Sequence, residues 1–200
     1  MDRDDASAAG SGARERLTVR PAIAADLPAV GAIQVESWRE TYAGILDPAG
    51  LARLTPARSA HQWDANLARG DTMLFVAQRG AKLLGFGSCG TQRSRTLREL
   101  GYGGEISTIY LPRAAQGLGL GRVLMQEMAA ALAAWGYGSL ALWVLVRNRQ
   151  ARGFYAHLGG RVIARGMDRW AGKPVEECAY GWQDISLLAG GADDASQREG

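Results

Sequence analysis

Residues 104–122 read GEISTIYLPRAAQGLGLGR, and this stretch constrains the fold more than any other. The β-branched run predicts a strand over 104–111. The turn QGLGLG at 116–121 cannot continue that strand. Beyond it, Leu120, Leu124, Met128, Ala131 and Trp135 recur at helical spacing, and Gly136 and Gly138 end the helix. A strand, a glycine-rich loop and a helix therefore follow in direct succession. The first turn of a helix leaves N–H groups unpaired and carries partial positive charge. Glycines at 117, 119 and 121 let a bulky anion approach that backbone, and Arg122 adds charge. The segment is read as a phosphate or pyrophosphate seat, against the plainer alternative of a helix-start turn. No G-x-x-x-x-G-K-S/T occurs, and Arg122 stands where G-x-G-x-x-G needs its last glycine.

The flanks supply the rest of the architecture. A strand is expected at Leu17–Arg20. A helix capped by Asp26 follows, with Leu27, Val30, Ile33, Ser37, Thr41 and Ile45 on one stripe, then a second helix over 56–69. Strands at 73–79 and 82–91 flank Gly80, and an Arg-rich loop (Arg93, Arg95, Arg98) leads to the strand at 104. After the loop-helix unit come a strand at 139–146, a helix at 149–158, and strands at 161–169 and 176–184. This order implies an α+β domain with a mixed, mostly antiparallel central sheet flanked by helices.

One domain over 17–188 suffices for 200 residues, between a disordered arm at 1–16 and a disordered tail at 189–200. Two cysteines, Cys89 and Cys178, are too few for a disulfide scaffold or a Cys-rich metal site, and no metal is expected. The N-terminus is polar and acidic, and no apolar run spans a bilayer, so a cytoplasmic protein with no membrane partner is the expectation. Of 23 basic residues only Lys82 and Lys173 are lysine. Residues 17–188 hold 19 basic and 13 acidic residues, net +6. That excess suits an anionic partner or a solvated surface.

Gln116-x-x-Gly119-x-Gly121 resembles the acetyl-CoA loop of the GCN5-related N-acetyltransferase (GNAT) superfamily, which reads Arg or Gln, two free positions, Gly, one free position, then Gly or Ala. The resemblance extends to Tyr110-Leu111-Pro112 before the loop. It also includes Asn148-x-x-Ala151-x-x-Phe154-Tyr155-x-x-x-Gly159, similar to the family's second cofactor helix, with Gly160 where Phe is usual. Ser37-Trp38-Arg39-x-Thr41-Tyr42-x-Gly44-Ile45-Leu46 resembles the first-helix segment of many bacterial members.

The resemblance implies an N-acetyltransferase that passes an acetyl group from acetyl-CoA directly to a primary amine, with helices on both faces of the sheet. Backbone groups of Gln116, Gly117, Leu118, Gly119, Leu120, Gly121 and Arg122 would hold the CoA pyrophosphate. Ile109, Tyr110 and Leu111 would pair with the pantetheine arm as an added strand, with the N–H near Ile109 facing the oxyanion. Asn148 would bond the pantetheine or cap its helix, and Arg152 would face phosphates or solvent. Acyl transfer to an amine needs a base, an oxyanion donor and an acid for the thiolate. Glu105, eleven residues before Gln116 and alone between Glu99 and Glu127, is the candidate base, with a raised pKa expected on a buried strand. Its alternative is a structural carboxylate paired with arginine. Tyr155 is the candidate acid, or an aromatic packed on Phe154. Trp38 and Tyr42, with Arg39, Trp170, Tyr180 and Trp182, are candidates for the acceptor pocket or for ordinary packing. Glu36, Glu40 and the pair Glu176-Glu177 either attract a cationic amine or are solvated. A non-catalytic acyl-CoA-binding regulatory module is the alternative function. A nucleic-acid partner is not expected, since the basic excess is explained by CoA. Many relatives dimerise, which is the ground for expecting a homodimer.

Overall fold

A computed structural model describes residues 16–189 of the chain. The expected arm and tail, apart from Arg16 and Ala189, lie outside the described residues. The strands are β1 (Leu17–Pro21), β2 (Thr72–Arg79), β3 (Lys82–Thr91), β4 (Gly104–Tyr110), β5 (Leu140–Leu145), β6 (Arg161–Trp170) and β7 (Lys173–Trp182). The longer helices are α1 (Leu27–Tyr42), α3 (Pro56–Leu67), α5 (Leu120–Ala134) and α6 (Arg149–His157). Three short ones, α2 (Pro48–Ala52), α4 (Arg95–Glu99) and α7 (Ser186–Ala189), complete the order. The strands form one sheet in the order β1-β2-β3-β4-β5-β7-β6, antiparallel except at β4–β5.

Period-two alternation sends side chains to two cores. Leu74 and Val76 of β2 join Leu27, Val30, Ile33, Trp63 and Phe86 beneath α1 and α3. Phe75 and Ala77 point the other way, into a larger core with α5 and Tyr155 of α6. Helices therefore cover both faces of the α+β sheet. The buried arc of α5 is wider than the expected stripe: Met125, Ala129 and Leu132 are buried as well, whereas Trp135, at the helix end, is exposed. Asp26 does not cap α1. It closes a 3-10 turn, accepting from Ile23 N at 2.9 Å and from Arg20 at 2.7 and 3.0 Å.

Two departures shape the site. β6 and β7 turn on Ala171-Gly172, both at positive φ (49° and 81°), so β7 begins at Lys173 and not at 176. Pro174 is tolerated because β5 pairs with β7 only from Glu177 onward. β4 and β5 pair at just two positions, Gly104 with Leu140 and Glu105 with Ala141, and then part. A bulge at Ser107 marks the divergence: Cys89 faces Ile106, and the next β3 partner, Ser88, faces Thr108.

Candidate functional site

The opening between β4 and β5 is the mouth of a cleft of about 610 Å3. Its walls are Ser107–Tyr110 of β4 with Leu111 beyond its end, Trp143–Leu145 of β5, the glycine-rich loop, α6 and the C-terminal half of α1. Beyond Glu105 the edge of β4 that faces β5 has no strand partner, so its main-chain groups are open to an extended ligand.

One end of the cleft is an anion seat. Gly117 (φ 74°) and Gly119 (φ 79°) hold the left-handed conformation that lets the chain turn from β4 into α5. The N–H groups of residues 117–121 find no backbone acceptor among the described residues. They converge on the N-terminus of a 15-residue helix. Arg122 lines the same mouth. Gly121 serves packing: a Cβ there would stand 3.1 Å from Phe154 Cζ. The Gln116 side chain is a strut. Its amide donates to Leu111 O at 2.8 Å and its carbonyl accepts from Gln150 at 2.8 Å, fixing the loop to β4 and α6.

At the centre three phenols converge. Tyr155 lines the cleft from α6, and burial together with the neighbouring Tyr42 raises its pKa well above the ordinary value. Burial raises Tyr42 and Tyr110 too, so all three stay protonated donors. Asn148 caps α6, its Oδ1 accepting from Ala151 N at 3.1 Å, while it also lines the cleft beside Tyr42.

The far end is aromatic and acidic. Trp38 meets Tyr42 edge-on at 4.9 Å and lies 6.0 Å from Trp170 of β6. Gly50 of α2 makes room for the Trp170 ring, which a Cβ there would strike. Lys173 at the hairpin tip reaches Asp47 Oδ1 at 2.6 Å, closing β6–β7 over α2. Asp168 and Glu177 line this end with Trp143. Burial, and secondarily the charge of Asp168, raises the Glu177 pKa. Trp143 and Asp168 were not singled out in the sequence, because strand periodicity does not say which strands neighbour one another.

The structure places Trp38, Tyr42, Ile109, Tyr110, Leu111, Gln116, Gly117, Gly119, Leu120, Gly121, Arg122, Asn148 and Tyr155 around this one cleft. Of the residues expected to act in catalysis or to hold the cofactor, three do not line it. Leu118 is exposed on the loop. Arg152 turns inward: it donates to Val146 O at 3.0 Å and stands beside Tyr180 and Cys178, not facing the cleft as expected for a phosphate contact. Glu105 is paired with an arginine, the alternative expected for it. Arg93 grips it through the backbone N–H (2.8 Å), Nε (3.2 Å) and Nη2 (2.7 Å). Its remaining link to the cleft is Ser107 Oγ, 3.2 Å from Oε1. Arg39 bonds Leu54 O, and Tyr180 and Trp182 are core residues. Trp182 occupies the space beside Gly160, where a Cβ would come within 2.5 Å of its Cζ2. Cys89 and Cys178 are buried free thiols, and burial pushes Cys89 up to about 12. No group of three His, Cys, Asp or Glu that could hold a metal occurs among the described residues, and no helix there is long and apolar enough to cross a membrane.

The acetyltransferase (GNAT) family pattern matches residues 33–159. The uncharacterized N-acetyltransferase YuaI of Bacillus subtilis is 32% identical over 173 residues, 86% of this chain and 96% of its own. Two solved structures share the fold. The PaiA N-acetyltransferase of Thermoplasma acidophilum, in complex with coenzyme A, is 19% identical with a TM-score of 0.61, covering 81% of this chain and 98% of its own. YncA of Salmonella typhimurium, with its cofactor acetyl-CoA, is 22% identical with a TM-score of 0.63, covering 84% of this chain and 93% of its own.

Proposed function

This chain belongs to the acetyltransferase (GNAT) family, and on that premise we propose that it carries an acetyl group from acetyl-CoA to a primary amine by direct attack within a ternary complex. The observation that carries this reading is the parting of β4 from β5 beside a helix N-terminus with five open N–H groups. When bound, acetyl-CoA supplies an acetyl group activated as a thioester. The N–H groups of 117–121 and Arg122 bind its pyrophosphate. The free edge of β4 at Ile109–Leu111 takes the pantetheine arm as an added strand, and the Asn148 side chain bonds it from α6. A backbone N–H near Ile109 faces the developing oxyanion.

The Tyr155 hydroxyl gives its proton to the departing sulfur; its place on α6 in the cleft wall supports that role. The amine's proton leaves through Ser107 Oγ and water toward Glu105. The 3.2 Å contact between those side chains, and the absence of Glu105 from the cleft wall, favour this relay over direct contact. A free-thiol assay with acetyl-CoA across a panel of amines, paired with calorimetric binding of acetyl-CoA, tests the reading. CoA release with at least one amine is expected. Tight acetyl-CoA binding with no release from any amine would overturn it in favour of a non-catalytic acyl-CoA-binding module.

A further inference from the structure

The acceptor end of the cleft holds two carboxylates that the protein itself does not neutralise. Among the described residues the ion pairs are Arg20–Asp26, Arg93–Glu105, Arg95–Glu99 and Lys173–Asp47. Among the described residues neither Asp168 nor Glu177 has a basic side chain within 4 Å, although residues 17–188 carry 19 basic residues against 13 acidic ones. The two sit on neighbouring strands at diagonal positions: Glu177 opposes Gly166, and Asp168 opposes Val175. Their charges repel each other, and Glu177 is half-buried. Gly166 brings Glu177 against an aromatic wall, since a Cβ there would lie 3.3 Å from Trp143 and 3.5 Å from Glu177 Oε1.

A second observation comes from the opposite wall. Ser37 lines the same cleft, is 2% exposed, and its Oγ has no hydrogen-bond partner among the described residues. A buried hydroxyl of that kind is completed by a ligand or water. Ser37, Asp168, Glu177, Trp143 and Trp170 line one cleft, and hydroxyl, carboxylate and indole are all groups that an ammonium seeks.

Resting on the acetyltransferase reading, we propose that the acceptor is an amine carrying a second positive charge, a diamine in its simplest form, with Asp168 and Glu177 holding the ammonium that is not acetylated. The attacking nitrogen must be neutral, so the second charge gives the carboxylates a partner that persists through the reaction. Trp38 and Tyr42 line the same cleft as both carboxylates.

The full chain is assayed with 1,4-diaminobutane and 1,5-diaminopentane against 1-aminobutane and 1-aminopentane at equal ionic strength. The expected result is a kcat/KM for each diamine at least tenfold above that of its matched monoamine, beyond the statistical factor of two. In Asp168→Asn, Glu177→Gln and the double variant, that ratio falls toward one, a change that a merely structural role for the carboxylates would not produce. A ratio near one in the unaltered protein, or a ratio retained in all three variants, overturns the proposal while leaving acetyl transfer intact. Calorimetry of the same four amines on CoA-loaded protein reads the preference without turnover. If no amine of the wider panel releases CoA, the acetyltransferase reading fails, and a diamine preference in binding still supports the cation site whereas its absence overturns it. The single variants carry the test should the double variant not fold.

Discussion

Replacing Gly119 by Ala separates the two duties of the glycine-rich loop. Gly119 sits at φ 79° and ψ −10°, and a Cβ on it would meet nothing within 4 Å. In the ligand-free protein the substitution therefore costs backbone strain alone, about 1–2 kcal/mol for an L-residue in the left-handed region. Reduced freedom of the unfolded chain offsets about 0.4–1 kcal/mol of that. A net loss of about 1 kcal/mol lowers the Tm of a domain this size by about 2–4 °C. Gly119→Asn, whose side chain tolerates the left-handed region, should lose about half as much. Binding ranks the two in the other order. The space beside Gly119 is the cleft mouth where the anion is proposed to sit, so Asn crowds it at least as much as Ala does. Loss of one charge-assisted hydrogen bond raises the Kd for CoA about tenfold or more. Thermal denaturation of the free protein and calorimetric titration with CoA read the two effects separately. Unchanged CoA affinity in both variants would refute the anion seat, and an unchanged Tm in Gly119→Ala would refute the strain argument.

Four further outcomes are expected. Tyr155→Phe should lower kcat about 10–100-fold with acetyl-CoA affinity changed less than about threefold, and Glu105→Gln should likewise affect turnover more than binding; full activity of either variant across pH removes that residue from the proton path. Arg20 holds the Asp26 carboxyl below its ordinary value of 3.8, so the stability this pair contributes is present above that pH and is lost as pH falls through the lowered pKa. Asp26→Asn should therefore cost about 1 kcal/mol at pH 7, limited by solvent screening at the half-buried Arg20, and flatten the acid side of a Tm–pH curve; a parallel curve would refute the linkage. With its thiol pushed up to about 12, Cys89 holds on the order of one thiolate in 10,000 at pH 8. It should react with a thiol reagent only on unfolding, and rapid labelling of Cys89 in the folded chain, located by mass spectrometry, would contradict its burial.

Local chemistry made part of this site legible. Strand, glycine turn and helix follow one another without a break, so the loop's conformation and the place of Tyr155 and Asn148 on the next helix depend on contacts within about 50 residues. Glu105 shows where that ends. Its register on β4 was readable, but its partner Arg93 arrives from the turn after β3, and only the β3–β4 pairing brings the guanidinium across the carboxylate. The short helices were missed because five residues carry little period, although Asp47-Pro48 and Ser94 do cap two of them. The acceptor end depends on a still longer-range fact. Glu177 reads equally well as a solvated charge or a cleft wall until β7 is placed between β5 and β6. That insertion sets Glu177 opposite Leu145 on one side and Gly166 on the other, and brings Asp168, two pairs along, to the same face. Alternation fixes which residues of a strand share a face, but strand order decides what that face looks onto. Asp168 lies on the edge strand β6 and is exposed, so it is the inner position of Glu177 on β7 that turns the pair toward the cleft, and the argument for a cationic acceptor belongs to the topology and not to the acidic residues themselves.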